Sequence, residues 1–405
     1  MVAWFVARLR LQALPRRDAL NERATVLLLF ARFADEVGSG LLLVLAPALR
    51  TRLGLSVGQL GWCFQALYTV AAVVEPVAGS AVDRLRRRPL LVLGALGWGA
   101  ALLLAAGATG FGWALAAFAL VGAASGPLTT PADVLLVEGH PEAPERIASR
   151  STAIDTTGAL LAPGVVAVAG LAGVDGRWLL AAAGLGLLGY ARGLHRTAMP
   201  APPRAGEGAG LRQALADVRA VLADRRARPW IAALLVFEVL DLATLFEPVW
   251  LADVVGASQT LVATHVALGM AASVVGLVVL DRWLQRTDAV RIVLACGLAG
   301  LVLYPAWLLA PGGIATKLVL VVPRELVLAP LWPILRSRAL AALPDRAGTV
   351  SGLTALFGVL PLAGGLAWAA ERIGLTSALL GVHLVASVTL LAVVRPGRSD
   401  RASRT

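Results

Sequence analysis

The chain has 405 residues, of which 58% are apolar and only 15% are charged, against about 25% charged in an average soluble domain. A chain of this size with so few charges is not a water-soluble enzyme, a disordered tail or a disulfide scaffold; repeated apolar runs of about 20 residues make it a polytopic membrane protein. The net charge of +11 is carried by arginine, with Lys317 the only lysine, and the arginines fall in short clusters between apolar runs, a pattern that the positive-inside rule explains better than nucleic-acid binding does.

In chain order, Met1 to Pro15 is apolar with Arg8 and Arg10 but too short to span and without a basic n-region. It reads as an interfacial or frayed cytoplasmic leader within residues 1–24, not a cleavable signal peptide. Six apolar runs of spanning length follow, at about 25–48, 57–81, 90–109, 112–136, 149–172 and 178–197. Six more lie at about 229–253, 259–281, 290–310, 314–336, 347–370 and 374–394, before a tail at 395–405. Barrel strands would alternate over about 10 residues, whereas here Leu, Ala, Val and Gly occupy both faces for twice that length. The expectation is an all-α membrane protein of twelve transmembrane helices. Cys63 and Cys296 lie inside apolar runs and read as small packing residues, with no disulfide framework and no metal site.

With the N-terminus in the cytoplasm, the outer loops hold Arg50, Arg52, Arg177, Lys317 and Arg372, while Arg32 and Arg324 fall inside spans and the remaining 29 basic residues lie on the cytoplasmic side. That bias predicts a cell-membrane protein with both termini inside. The connection at 198–228 differs from every other loop. It opens on a Pro- and Gly-rich stretch from Met199, and Leu211 to Ala227 reads either as a solvated linker or as an amphipathic helix along the cytoplasmic face. It separates an N-terminal bundle, 25–197, from a C-terminal bundle, 229–394. Two six-helix repeats are expected, with a solute site between them near the midplane.

Between the second and third spans stands Gly79-Ser-Ala-Val-Asp83-Arg84-Leu85-Arg86-Arg87-Arg88-Pro89-Leu90. Gly79 is expected to admit a close helix approach. Asp83 can accept hydrogen bonds from a helix start or an arginine, and the arginines can anchor the loop at the anionic leaflet. The segment resembles the signature loop of the major facilitator superfamily, G-x-x-x-D-R-x-G-R-R, at Gly79, Asp83, Arg84, Arg87 and Arg88, and departs from it at Arg86, where that family usually has Gly. The resemblance implies a major facilitator fold and a latch for the outward-open state, which Glu75 and Asp155 would join. Asp281-Arg282 echoes the loop between the eighth and ninth spans. In the fifth span, Gly158-Ala-Leu-Leu-Ala162-Pro163 is similar to a degraded antiporter signature of the same family, and Pro361-Leu-Ala-Gly364-Gly365 in the eleventh keeps the other half. Small residues and proline there suggest a kinked, closely packed hinge at Gly158, Pro163, Pro361 and Gly364.

Ionisable groups inside a membrane span are costly and functional by default. Arg32, Asp35 and Glu36 lie in the first span at spacings of three and four, which put both acids on the arginine's face. Asp35 is about ten residues, or ~15 Å, from the cytoplasmic end. The seventh span carries Glu238 and Asp241, and the tenth carries Arg324 and Glu325. The family resemblance implies that the first and seventh helices line a central cavity. The seven residues form a candidate substrate and proton-coupling set in which burial and a nearby arginine pull a carboxyl's proton affinity in opposite directions; the competing reading is charge pairs that only fix packing. Asp133 lies toward the cytoplasmic end of the fourth span, and the arginine the family commonly places in that helix is absent. His265 and His383 read as packing residues.

No phosphate loop of the G-x-x-x-x-G-K-[ST] kind occurs, and neither H-E-x-x-H nor G-x-S-x-G, so no ATPase or hydrolase machinery and no cofactor is expected. Gln65 is nearly the only side-chain amide within the spans, which equips a sugar site poorly. The expected function is a secondary transporter and no enzyme: a monomer exchanging protons for a hydrophobic or amphipathic small molecule by alternating access, an efflux antiporter of the inner membrane. Uptake of an organic anion held by Arg32 or Arg324 is the alternative, and a membrane sensor or scaffold that moves nothing is the second.

Overall fold

The computed structural model describes residues 22–84, 87–140, 144–199, 223–224, 227–342 and 357–394, and among them every regular element is helical. The elements are α1 (Glu22–Leu53), α2 (Val57–Arg84), α3 (Arg87–Gly107), α4 (Phe111–Glu138), α5 (Pro144–Leu171), α6 (Gly176–His195), α7 (Arg228–Thr244), α8 (Glu247–Asp253), α9 (Gln259–Leu284), α10 (Ala289–Leu309), α11 (Gly313–Leu328), α12 (Leu331–Ala342), α13 (Leu362–Ile373) and α14 (Leu375–Val393). Twelve spans result, because α7 with α8 and α11 with α12 are each one span interrupted. Pro248 and Pro330 account for the interruptions, since neither has an N–H to give the preceding turn. Among the described residues, nine helical stretches are long and apolar enough to cross a membrane. The helix α1 is not one of them, since Arg32, Asp35 and Glu36 interrupt its apolar run. The leader through residue 21, residues 200–222 with most of the expected amphipathic helix, the start of the eleventh span and the tail lie outside the described residues.

Two compact units emerge, one of Met1–Leu42 with Ala66–Gly208, the other of Leu43–Gln65 with Ala209–Thr405. The division therefore does not fall only at the linker. The outer end of α1 and the start of α2 go with the second unit.

In the first unit α3 is central, packed on α4 and α6. Small residues set these approaches. A Cβ on Gly99 would stand 2.9 Å from the Gly184 carbonyl, and one on Gly184 would stand 2.8 Å from the Gly99 carbonyl, so neither helix tolerates a side chain at the crossing. Trp98 and Phe118, both fully buried, fill the space beside it. In the second unit α9 and α10 pack on α11, and α14 packs on α7 and α10. Its core joins Ile231, Leu234, Val293, Ile334, Leu335 and Leu390.

The turn between α1 and α2 uses Gly54 at φ 62°, the left-handed region that favours glycine. The helix α2 then starts on a capping box: Ser56 Oγ accepts the Gln59 N–H at 3.1 Å and Gln59 Oε1 accepts the Ser56 N–H at 3.0 Å. Lys317, counted from the sequence among outer-loop cations, is instead buried in α11, where its Nζ donates to the carbonyls of Trp307 at 2.6 Å, Leu308 at 3.1 Å and Ala310 at 2.8 Å. The ammonium satisfies the orphan carbonyls at the end of α10.

Overpacking a close helix crossing costs about 1–3 kcal/mol. Gly184→Val is expected to lower the melting temperature of the detergent-solubilised protein by several degrees. Gly186→Val, two residues on, where a Cβ meets nothing within 4 Å, is expected to leave it unchanged. Equal melting temperatures for the two variants would remove the α3–α6 crossing from the packing account.

Candidate functional site

The first unit holds a charged cluster at mid-span. Arg32 of α1 donates from Nε to Asp155 of α5 at 3.1 and 3.2 Å and from its Nη2 at 2.5 Å, and Asp133 of α4 stands 3.6 Å from its Nε. The expectation that Arg32 would hold Asp35 and Glu36 of its own helix is thereby corrected. Helical side chains lean toward the N-terminus, so Arg32 reaches back, away from acids that follow it, and an arginine preceding an acid by four is the poorer orientation for a pair. The contact with Asp155 depends on Gly158, where a Cβ would stand 2.7 Å from the Phe33 carbonyl oxygen and 3.1 Å from Cβ of Glu36. Asp155, assigned from the resemblance to the latch, belongs to this cluster.

Asp35 is held differently. Trp98 Nε1 of α3 and Ser125 Oγ of α4 each donate to its Oδ1 at 2.8 Å. Trp98 reaches it by lying across Gly38, where a Cβ would stand 2.6 Å from the indole ring. Both donors are neutral; among the described residues no cation stands within ion-pair distance of Asp35, and the Arg32 charge acts on it only from farther off. Glu75 packs beside Gly126 of α4.

The second unit holds the other cluster. Arg324 of α11, 3% exposed, makes a two-pronged pair with Glu247 at 3.0 and 2.8 Å. It also donates to Oε1 of Glu325 from Nε at 2.9 Å and from Nη2 at 2.6 Å. Ser273 of α9 donates to the other oxygen of Glu325 at 3.1 Å. The Arg324 guanidinium lies over Trp307 of α10, 4.2 Å from the ring centroid. Trp307 Nε1 in turn donates to His265 Nε2 at 3.1 Å, and His383 stacks on Tyr304 at 3.8 Å. Both histidines are buried in this aromatic packing. Glu238 lies near Trp332 and within electrostatic reach of Arg336. Asp241 is exposed, and among the described residues no side chain hydrogen-bonds or ion-pairs with its carboxylate.

Sequence reasoning missed Glu247, Trp98, Ser125 and Ser273. Glu247 lay in the seventh span with Pro248 beside it, and an acid next to a helix-breaking proline inside a span was the available signal. The hydrogen-bond donors to Asp35 and Glu325 carry no signal in sequence, because Trp and Ser in a span are ordinary.

The segment likened to the latch is only partly as expected. Arg87 is not at the leaflet: it is 1% exposed, donates to the Val82 carbonyl at 3.1 Å, and grips Glu138 at the end of α4 at 2.5 and 3.0 Å. Arg88 is exposed. A Cβ on Gly79 would meet nothing within 4 Å, so the close approach expected there is absent among the described residues; such a crossing of α2 with α4 is at Gly122 instead. The side chains of Asp83 and Arg84 lie outside the described residues. At the expected hinge, Pro163 is buried inside a continuous α5, whereas Pro361 stands before α13 as its N-cap, with φ −76° and ψ 51°, and Gly364 receives the Trp62 ring.

The sequence profile of the Major Facilitator Superfamily matches residues 28–394. The chain belongs to this superfamily. It is accordingly a multi-pass membrane transporter with the major facilitator fold. No curated protein matches the chain. Among solved structures it is similar to the nucleoside transporter NupG, with a TM-score of 0.71 and 14% identity over 92% of this chain and 97% of that one. It is also similar to a bacterial homologue of the human lysosomal transporter Spinster, at 0.67 and 17% over 92% and 93% of the two chains. The human organic anion transporter MFSD10 gives 0.62 and 18% over 92% and 98%. At these identities the likeness is one of fold.

Arg324→Ala leaves Glu247 and Glu325 without their counter-charge, and breaking such a buried pair costs about 3–5 kcal/mol. The variant is expected to lose most of its folded yield in detergent. Replacing both partners, Arg324→Leu with Glu247→Leu, is expected to recover much of the melting temperature. A single variant as stable as the native chain would mean that the pair is not buried as described.

Proposed function

We propose that the chain is a proton-coupled exporter of hydrophobic or amphipathic small molecules, cationic ones included, with Asp35 and Asp241 as its coupling acids. One observation carries the reading. Arg32 and Arg324 are taken by carboxylates, Arg32 by Asp155 and Arg324 by Glu247 and Glu325, while among the described residues no cation stands within ion-pair distance of Asp35 or Asp241, the Arg32 charge reaching Asp35 only from farther off. A carboxylate without a counter-cation in the bilayer interior finds its compensation in a proton, in water or in a cationic solute. Competition of proton and solute for one acid couples their movements. The family gives the transporter; coupling, direction and solute class are the proposal, as are the inner membrane, the monomer and the cytoplasmic placement of both termini, which the basic-residue bias supports.

Uptake of an organic anion would need a guanidinium free to receive it; organic anion transport, with no direction given, is what the name of MFSD10 carries. Neither Arg32 nor Arg324 offers a free fork, since bidentate pairing with a carboxylate uses the donors that would grip an anion. Membership of a transporter superfamily weighs against a scaffold that moves nothing. Of the other buried cations among the described residues, Lys317 is spent on carbonyl groups and Arg87 on Glu138.

The test uses purified protein in liposomes loaded with a pH-sensitive dye under an imposed proton gradient, with amphipathic cations, neutral drugs and organic anions added in turn. A cation- or drug-dependent proton flux is expected, reduced at least tenfold in Asp35→Asn and in Asp241→Asn and retained in part in Glu238→Gln. Anion-dependent flux that survives both asparagine variants and is lost in Arg324→Gln would reverse the assignment.

A further inference from the structure

Gln65 has no part in the clusters above, and it is the amide that stood out in the sequence. It lies on α2, 5% exposed, as the last residue of the Leu43–Gln65 segment that belongs to the second unit. Its Nε2 donates to the carbonyls of Gly358 at 3.1 Å and Leu360 at 2.9 Å. Its Oε1 accepts the N–H groups of Ala363 at 3.1 Å and Gly364 at 3.4 Å. These four backbone groups flank the break that precedes α13, where a 3-10 turn at Phe357–Val359 meets Pro361. The first N–H groups of a helix have no partner within it. One glutamine, with two donor hydrogens and an acceptor oxygen, is the side chain that can serve both sides of such a break at once.

Further contacts run outward along the same seam. The Trp62 ring lies 3.3 Å from where a Cβ on Gly364 would stand, and a Cβ on Gly61 would collide with Ala367. The Gly58 N–H donates to Glu371 at 2.8 Å, and Arg50 pairs with Asp253. The Ser56 hydroxyl and the Gly58 N–H hold the Glu371 carboxyl, just beyond the eleventh span, below the usual carboxylate range. Such a contact is present above that range and is lost only as pH falls through the lowered value, so titration near neutrality does not open the seam. All of these contacts lie toward the turns at 54–56, 254–258 and 374, the end that the basic-residue bias assigns to the outside.

The helices α1 and α2 run on from this hairpin into the first unit. A shift of one unit against the other must therefore either bend α1 and α2 at 42–43 and 65–66 or release the hairpin. Gln65 stands at the second of these points. We propose that Gln65 is a conformational clamp: by completing the backbone hydrogen bonding of the break before α13, it holds the hairpin 43–65 on the second unit, and freeing the hairpin from that unit requires its release. The inference rests on the alternating-access reading but on neither Asp35 nor Asp241.

The chain supplies its own reporter. Cys63, two residues from Gln65, is fully buried, and Cys296 is 2% exposed. In full-length protein carrying Cys296→Ala, Cys63 is labelled in intact cells with a membrane-impermeant maleimide. Slow labelling is expected for native Gln65, with an increase of at least tenfold for Gln65→Leu, equivalent to about 1.4 kcal/mol in the equilibrium between held and released hairpin. Glu371→Ala is expected to move the rate in the same direction by less. Gln65→Glu keeps the shape but sets a carboxylate against the carbonyls of Gly358 and Leu360, so it must accelerate labelling too should the leucine variant fail to fold. Native-rate labelling in a folded Gln65 variant overturns the clamp. So does an equal acceleration at Cys296 in the Cys63→Ala chain, which reports general loosening. Labelling needs neither solute nor proton flux, so a failed liposome experiment with the aspartate variants leaves this result standing, and the reverse holds.

Discussion

The structure turns on the neutralisation of two guanidinium groups inside the bilayer. An arginine does not give up its proton in a protein, so Arg32 and Arg324 must each be met by carboxylate where they stand. Arg32 is met by α5 and, at longer range, α4. Arg324 is met by α8 and by its own neighbour. Each pairing draws separate helices to one point at mid-span and so fixes how those helices sit. It also decides the chemistry left over, because acids committed to arginine are withdrawn from exchange, and those left uncommitted are few and identifiable.

Glycine makes the pairings reachable. On α1 the face that carries Arg32 and Asp35 also carries close neighbours: Trp98 over Gly38, and Gly158 of α5 against Phe33 and Glu36. A side chain at either glycine would separate the helices by more than the reach of a short aspartate. The feature likened to an antiporter signature at Gly158 thus has a local physical reason in this chain, the seating of Asp155 on Arg32, whatever hinge movement it also permits.

The twelve spans were legible because apolar runs of about 20 residues leave few alternatives. The presence of acids and arginines at mid-depth was legible for the same reason: they are rare there. Their pairing was not. Spacing along one helix suggested Arg32 with Asp35 and Glu36, but a long side chain leans toward its helix N-terminus and finds Asp155, which is 123 positions away in sequence. Glu247 escaped notice because it was read as part of a continuous seventh span. Only the break at Leu245 and Phe246, with Pro248 behind it, starts a new helix at Glu247 and lets it face Arg324. The arginines of the loop between α2 and α3 were read as one membrane-facing group, yet Arg87 turns inward to Glu138 while Arg88 stays out, a difference set by which of two neighbours begins α3 on its buried face.

The same logic of unsatisfied groups extends from charges to the backbone. A broken helix in a bilayer exposes carbonyl and N–H groups that lipid cannot serve, and each break here is answered by a particular side chain or turn. Lys317 closes the end of α10, and Gln65 serves the break before α13. These two residues are among the few strongly polar side chains that the spans contain apart from the acid and arginine clusters, and both are consumed by main chain. A composition so poor in amides leaves little polarity to spare for a hydroxyl-rich solute. On the proposed function, the carboxylates of Asp35 and Asp241, left outside the arginine pairs, are the groups that an amphipathic molecule able to offer a proton or a positive charge would complement.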